Sequence, residues 1–300
     1  MAFSRTTPAL IWRAFFVVAL LGVGARSFAA VSRPATPPPL LQTGKPDPEE
    51  GRAALEQMRR LGVAGDYFFE FQLRVMPRRG QESVIRGRLW GSRNAIGAIT
   101  RVSLQLPANG DRAAKERRLL IQNGQRSAVW RWEEGGDVEM LGVGSLFEPL
   151  VPGADLTAFD LQMPFLFWEE FSYEGVARFR GRPAHVLVIR PPAEFAAKYP
   201  ALSGVRVHLD TQFNALVQTE LLAAGEAVTK TLSVIDLKKI EEQWIVKTID
   251  VRDESTRNKT RFSVVAAGLE LDFSKVVFEP GQLETAVESP RAGRLVRIDP

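Results

Sequence analysis

Two histidines, His185 and His208, and no cysteine narrow the chemistry open to this chain of 300 residues. Nucleophilic catalysis needs a hydroxyl or thiol held against a base, and a transition-metal site needs several His, Cys or carboxylate ligands at fixed spacing. The sequence has no G-x-S-x-G elbow, no H-E-x-x-H helix and no P-loop. Gly142-Val143-Gly144-Ser145 has the glycines of a phosphate loop without its lysine or a preceding strand, and reads as a turn. Two carboxylate pairs remain, Asp155 with Asp160 and Glu169 with Glu170. Such pairs can share acid/base work or hold a cation, but Asp155 and Thr157 stand where a helix would start, so capping and solvation account for them. The inventory predicts no enzyme, no cofactor and no metal.

Charge gives as little support to nucleic-acid binding. The first 29 residues hold Arg5, Arg13 and Arg26 and no acid, so without them the formal charge falls from +4 to +1. Arg86 and Arg88, Arg117 and Arg118, and Arg178, Arg180 and Arg182 lie in strand-like runs, as the solvent face of a sheet would require. A mildly basic face suits transient contact with anionic lipid headgroups, not a nucleic-acid partner.

The elements that would position these residues begin after an apparent address. Arg5 and Arg13 precede the apolar run Ala14 to Ala25, and Ser27-Phe28-Ala29 offers small residues at a cleavage site, so residues 1–29 read as a signal peptide cut after Ala29. With no lipobox cysteine, the mature chain is expected in the periplasm without an acyl anchor. Residues 30–47 are proline-rich and read as an extended leader, dispensable for folding. Asp47-Pro48-Glu49-Glu50 then supplies a cap, a proline and first-turn acids for a helix whose Leu55, Met58 and Leu61 form one apolar stripe.

From Phe68 the period is two. Phe69, Phe71, Leu73 and Val75 fall on one face and Glu70, Gln72 and Arg74 on the other. Similar runs follow at 83–91, 98–106, 116–122, 126–132, 173–180, 184–190, 205–210, 215–222, 228–235, 244–253 and 259–266. Asn123-Gly124 marks a tight hairpin. Residues 135–168 break the series with a partly helical pattern. The fold class is therefore mainly β (α+β): one strongly curved antiparallel sheet forming an unclosed β-barrel, with helices covering its concave face. One core is expected, and the tryptophans within strand patterns read as core packing.

Four passages add a resemblance. Ala128-Val129-Trp130-Arg131, Gly153-Ala154-Asp155-Leu156 with Asp160-Leu161, Tyr173-Glu174-Gly175 to Gly181-Arg182-Pro183, and DFSKVVFEPGQL ending at Leu283 resemble the LolA/LolB-type periplasmic lipoprotein-carrier superfamily, in its outer membrane lipoprotein-sorting protein branch. The resemblance implies a half-barrel domain over 48–283 with a tail over 284–300, and a helical lid that shields acyl chains of lipoproteins or lipids. It also implies an inner-membrane transporter and an outer-membrane receptor as partners. The family's gating arginine finds no matching motif; Arg74, Arg86 and Arg88 are equal candidates. An envelope scaffold or stress sensor that binds a protein partner is the alternative role of the same fold. The candidate cavity residues are Phe69, Phe71, Leu73, Trp90 and Trp130.

Each methylene kept from water is worth roughly 0.8 kcal/mol, so an acyl chain of about sixteen carbons costs on the order of 12 kcal/mol to expose. A carrier must hide that chain and release it. The run FDLQMPFLFWEEF, residues 159–171, is too apolar for a loop and too broken for a helix or strand. Its Met163, Phe165, Leu166, Phe167 and Trp168 are the candidate lid, either movable or pinned to the core, with Trp168 expected at the boundary of cavity and water.

Overall fold

Alternation along the first strand sets the two faces of the sheet. The computed structural model describes residues 40–41, 45–108 and 113–298, so the signal peptide and most of the leader lie outside the described residues. Strand β1 (Asp66–Met76) turns Phe69, Phe71, Leu73 and Val75 to an inner face, where all four are buried. The ring of Phe71 lies over Gly87 so closely that a Cβ there would sit 2.2 Å from it, and it packs on Phe262 at 4.8 Å between ring centres.

The remaining strands are β2 (Ser83–Arg93), β3 (Ala98–Leu106), β4 (Lys115–Gln122), β5 (Ala128–Glu133), β6 (Glu139–Met140), β7 (Phe171–Phe179), β8 (Arg182–Ile189), β9 (Gly204–Asp210), β10 (Leu216–Leu222), β11 (Val228–Ile240), β12 (Gln243–Asp253), β13 (Lys259–Leu271) and β14 (Val296–Arg297). They form a single antiparallel sheet in the order β6-β5-β4-β3-β2-β1-β13-β12-β11-β10-β9-β8-β7, with β14 added to β13. Two meanders are thus joined by the β1–β13 pair. Bulges at Glu70/Phe71, Val234/Asp236 and Tyr173/Gly175 supply local bends. The sheet stays unclosed because β6 and β7 pair on one side only within it. Residues 141–170, which link these two edges, cross the inner face from one end of the sheet to the other.

Helix α1 (Pro48–Arg60) forms where the sequence places it. Asp47 caps it by accepting from the Glu49 N–H at 3.0 Å, and Ala54 and Leu55 enter the inner core. Before it, the leader is tied down: Leu40 bridges Ala177 and the Leu41 N–H donates to Val176 O at 2.7 Å, on edge strand β7. Leu40 and Leu41 thus cover part of the open edge of β7.

Three further expectations are corrected. A second hydrophobic cluster exists on the outer face, where Phe68, Trp90, Ile99 and Leu120 meet Phe278 and Leu283. Residues 284–298, expected as a tail, pack on the sheet: Glu288 O accepts from the Trp90 indole, Val296 pairs Ala267, and Ile298 is buried. Asn123-Gly124 opens a five-residue loop, since Gln122 pairs Ala128. A short helix, α3 (Ala193–Lys198), also lies between β8 and β9.

Candidate functional site: the insertion across the inner face

The crossing segment is built from short turns, because Pro149, Pro152 and Pro164 prevent a continuous helix. Helix α2 (Ala158–Gln162) starts in a capping box: Thr157 accepts from the Asp160 N–H, and the Asp160 carboxylate accepts from the Thr157 N–H at 2.8 Å. It ends at Met163, held in the left-handed region at φ 47° and ψ 52°, and Pro164 then opens a 3-10 turn, Pro164–Phe167. A non-glycine residue there is costly, which makes Met163 the bend between the two halves of the run.

Below this bend lies an aromatic stack. Phe147 stacks on Tyr199 at 3.7 Å and on Phe159 at 4.5 Å, while Trp168 packs on Phe195 at 5.0 Å and Phe159 meets Phe165 at 5.7 Å. Phe165, Leu166 and Trp168 belong to the same core cluster as Phe69, Phe71 and Leu73, and Met163 and Phe167 pack against it half-buried. Trp168 is 7% exposed, so it is part of the packed interior and not at its boundary with water.

Trp90 and Trp130 face the other way. Trp90 pairs Phe68, and Trp130 pairs Leu120, so register places both on the outer face, beneath the C-terminal segment. Phe69, Phe71 and Leu73 differ from Phe68 by parity, and a strand sends adjacent residues to opposite faces. The five candidates therefore split between two clusters.

Side chains fasten the insertion to the sheet. The Lys230 ammonium on β11 meets the Asp160 carboxylate at 2.5 Å, Thr260 on β13 bonds Asp155, and Asn123 donates to Gln162 O at 2.8 Å. Arg117 on β4 donates to Leu150 O at 2.5 Å. Arg59 on α1 donates to Leu166 O at 2.5 Å and to Trp168 O at 3.4 Å, with its guanidinium over the Phe167 ring. Burial lowers the Arg59 pKa, with Glu56 opposing, and raises that of Asp155, against the bond from Thr260. Asp155 and Asp160 are thus fasteners, and Glu169 and Glu170 are exposed. Arg59 was missed by sequence reasoning, because its place in the last turn of α1 reads simply as favourable charge at a helix end.

Two pockets stand out, and neither is an apolar chamber under the insertion. One, of about 330 Å3, is a groove of mixed character lined by Glu70, Phe71, Arg86, Arg88, Val265 and Arg297 among others. The other, of about 380 Å3, lies between α1 and the turn after β9.

A family model described as an uncharacterized protein matches residues 151–285. No curated protein matches the sequence. Among solved structures, a DUF1329 family protein from Desulfovibrio piger aligns with a TM-score of 0.66 at 14% identity, over 80% of this chain and 100% of its own. A Vibrio parahaemolyticus domain assigned as an outer membrane lipoprotein-sorting protein gives 0.63 at 14% identity, over 78% and 97%. A LolA superfamily protein from Nitrosomonas europaea gives 0.56 at 12% identity, over 76% and 96%. The chain therefore has the unclosed-sheet fold of LolA superfamily and lipoprotein-sorting domain proteins.

Proposed function

We propose that the protein is a non-catalytic carrier of the periplasm that shelters acyl chains of lipids or lipoproteins between the insertion and the inner face of the sheet, in outer membrane lipoprotein sorting. The observation that supports this most is the way the insertion is held. It covers the apolar inner face with aromatic side chains, and between its two ends, where the Leu141 N–H donates to Val129 O and Glu170 O accepts from the Arg190 N–H, it is tied to the sheet and α1 by bonds that involve the side chains of Arg59, Arg117, Asn123, Arg131, Gln162, Lys230 and Thr260. Such ties break one by one and reform, so the segment can lift without unpairing a strand. An acyl chain would take the place of Phe159, Phe165 and Trp168 in the inner cluster that also holds Phe71 and Phe262, apolar surface for apolar surface.

A second reading has its own observation: the interior is filled by the protein's own rings, as in a scaffold that recognises a protein partner. Native mass spectrometry of protein purified from periplasm separates the two. The carrier reading expects a fraction of molecules heavier by one lipid or acylated peptide, released by mild activation. Uniformly empty protein, unchanged after incubation with long-chain lipid monomers, would favour the scaffold.

A further inference from the structure

The three candidates for a gating arginine, Arg74, Arg86 and Arg88, all stand on the outer face, because they alternate with Leu73, Val75 and Ile85, which turn inward. None of them reaches the interior. Arg86 and Arg88 instead line the groove of about 330 Å3, where Gln72 lies opposite Arg86 and Glu70 opposite Arg88, with Arg297 of β14 on the far side. The groove sits at the bulge of β13, where Val265 is the extra residue between the partners of Glu70 and Phe71, and a bulge bends its strand. The Ile298 N–H donates to Val265 O at 3.0 Å, which fastens the strand that carries Arg297 beside this bend.

Charges around the groove are paired unequally. Glu70 accepts from Arg297 Nη1 at 2.7 Å. Glu116, beyond Ser103, accepts from Arg118 Nε at 2.9 Å and from the Ser103 hydroxyl at 2.6 Å. Burial works against that carboxylate, but the bonds from Arg118 and Ser103 outweigh it, and the field of Arg88 adds to them, so its pKa lies below the ordinary value. Both acids are therefore committed. Among the described residues, by contrast, the guanidinium groups of Arg86 and Arg88 and the side-chain amides of Gln72 and Gln105 have no hydrogen-bond or ion-pair partner. The two arginines lie two residues apart on one strand, about 7 Å, and each presents a planar fork of N–H donors. A carboxylate has oxygens for one such fork, whereas a phosphate has oxygens for both.

We propose that this groove binds a phosphate group, with Arg86 and Arg88 each turning a fork to its oxygens, Gln72 and Gln105 donating beside them, and Val265 against the ester carbons. The site belongs to the outer face and does not depend on the carrier reading. A soluble phosphate ester and a lipid headgroup present the same oxygens, and the experiment separates these two sources.

The test uses the full mature chain with glycerol phosphate as the soluble probe, followed by isothermal titration and by the Nε–H NMR signals of Arg86 and Arg88. Saturable binding is expected, with both signals shifting along one isotherm, and acetate should bind at least tenfold more weakly. Arg86→Gln and Arg88→Gln change exposed side chains that hold no other element in place, so each should stay folded and weaken binding at least tenfold. Arg86→Lys keeps the charge without the fork and should weaken it at least fivefold. Arg74→Gln, on the same face but outside the groove, should alter it less than twofold. Vesicles of phosphatidylcholine alone, and of equal parts phosphatidylcholine and phosphatidylglycerol, probe the second source. Binding to the mixed vesicles only, lost in Arg86→Gln, would assign the headgroup; saturation by glycerol phosphate without vesicle binding would assign the soluble ester. Binding to neither probe, equal binding of acetate, folded Arg86→Gln and Arg88→Gln variants that bind like the parent, or an equal loss in Arg74→Gln would each overturn the proposal.

Discussion

Arg101 stands where a two-faced sheet would place an apolar residue, on the outer face beside Trp90 and Leu120, and it is 1% exposed. Its guanidinium donates to four carbonyl oxygens of the C-terminal segment, those of Val277, Gln282, Leu283 and Thr285. Burial pushes its pKa down to about 10, with Arg118 adding to the effect and Glu116 opposing it. A planar fork reaches carbonyls on several sides, whereas an ammonium cannot, so Arg101→Lys should cost about 2–4 kcal/mol in a denaturant titration. A loss below 1 kcal/mol, measured the same way, would mean the carbonyls find other donors. His208 gives a pH dependence. It is 2% exposed, and burial, aided by Arg206 and opposed by Glu220, lowers its pKa from 6.5 to about 4. The unfolded chain therefore binds the proton first, and stability that is complete above pH 6.5 falls as the pH drops toward 4. Between pH 6.5 and 5 the loss should be about 2 kcal/mol, and His208→Leu should remove most of it. An unchanged pH slope in that variant would assign the effect elsewhere.

At the scale of elements, half-buried Lys230 and buried Asp160 pair to join the insertion to β11. Lys230→Met leaves the carboxylate buried without its cation and should destabilise by about 3–5 kcal/mol, while adding Asp160→Asn, which can still cap Thr157, should restore part of this. Hydrogen exchange adds the decisive detail: in Lys230→Met, amides of residues 157–168 should exchange faster than those of β1 and β13. Equal acceleration everywhere would show that the insertion does not open separately from the sheet. Much of this frame was legible in sequence. The alternation at Phe69, Phe71 and Leu73 gave the inner face of β1, and Asp47-Pro48 gave the start of α1, because both are local patterns. The C-terminal segment was not legible: Phe278 and Leu283 bury themselves through 3-10 turns broken by Pro280, which leave no period to read. Trp90 and Trp130 were misplaced because composition marks a tryptophan as buried without saying on which face. Trp244, also read as core, is 63% exposed at the end of the β11–β12 hairpin.

For the molecule as a whole, the sheet order explains why an insertion covers the inner face at all. The two meanders meet at β1 and β13, so their outer strands, β6 and β7, are left at opposite ends, and the chain between them must span the open side. Whatever enters the interior has to pass beneath or displace that span. The central claim is that the span lifts to admit an acyl chain, and the absence of cysteine allows a direct trial. Asn123→Cys with Gln162→Cys, at positions joined by a 2.8 Å bond, can be tethered by a short thiol-reactive crosslinker. Uptake of a fluorescent long-chain fatty acid, measured before and after tethering, should be saturable in the untethered double variant and fall at least tenfold once the tether is in place. Equal uptake by the tethered and untethered protein, or none by either at any lipid concentration, would contradict the account.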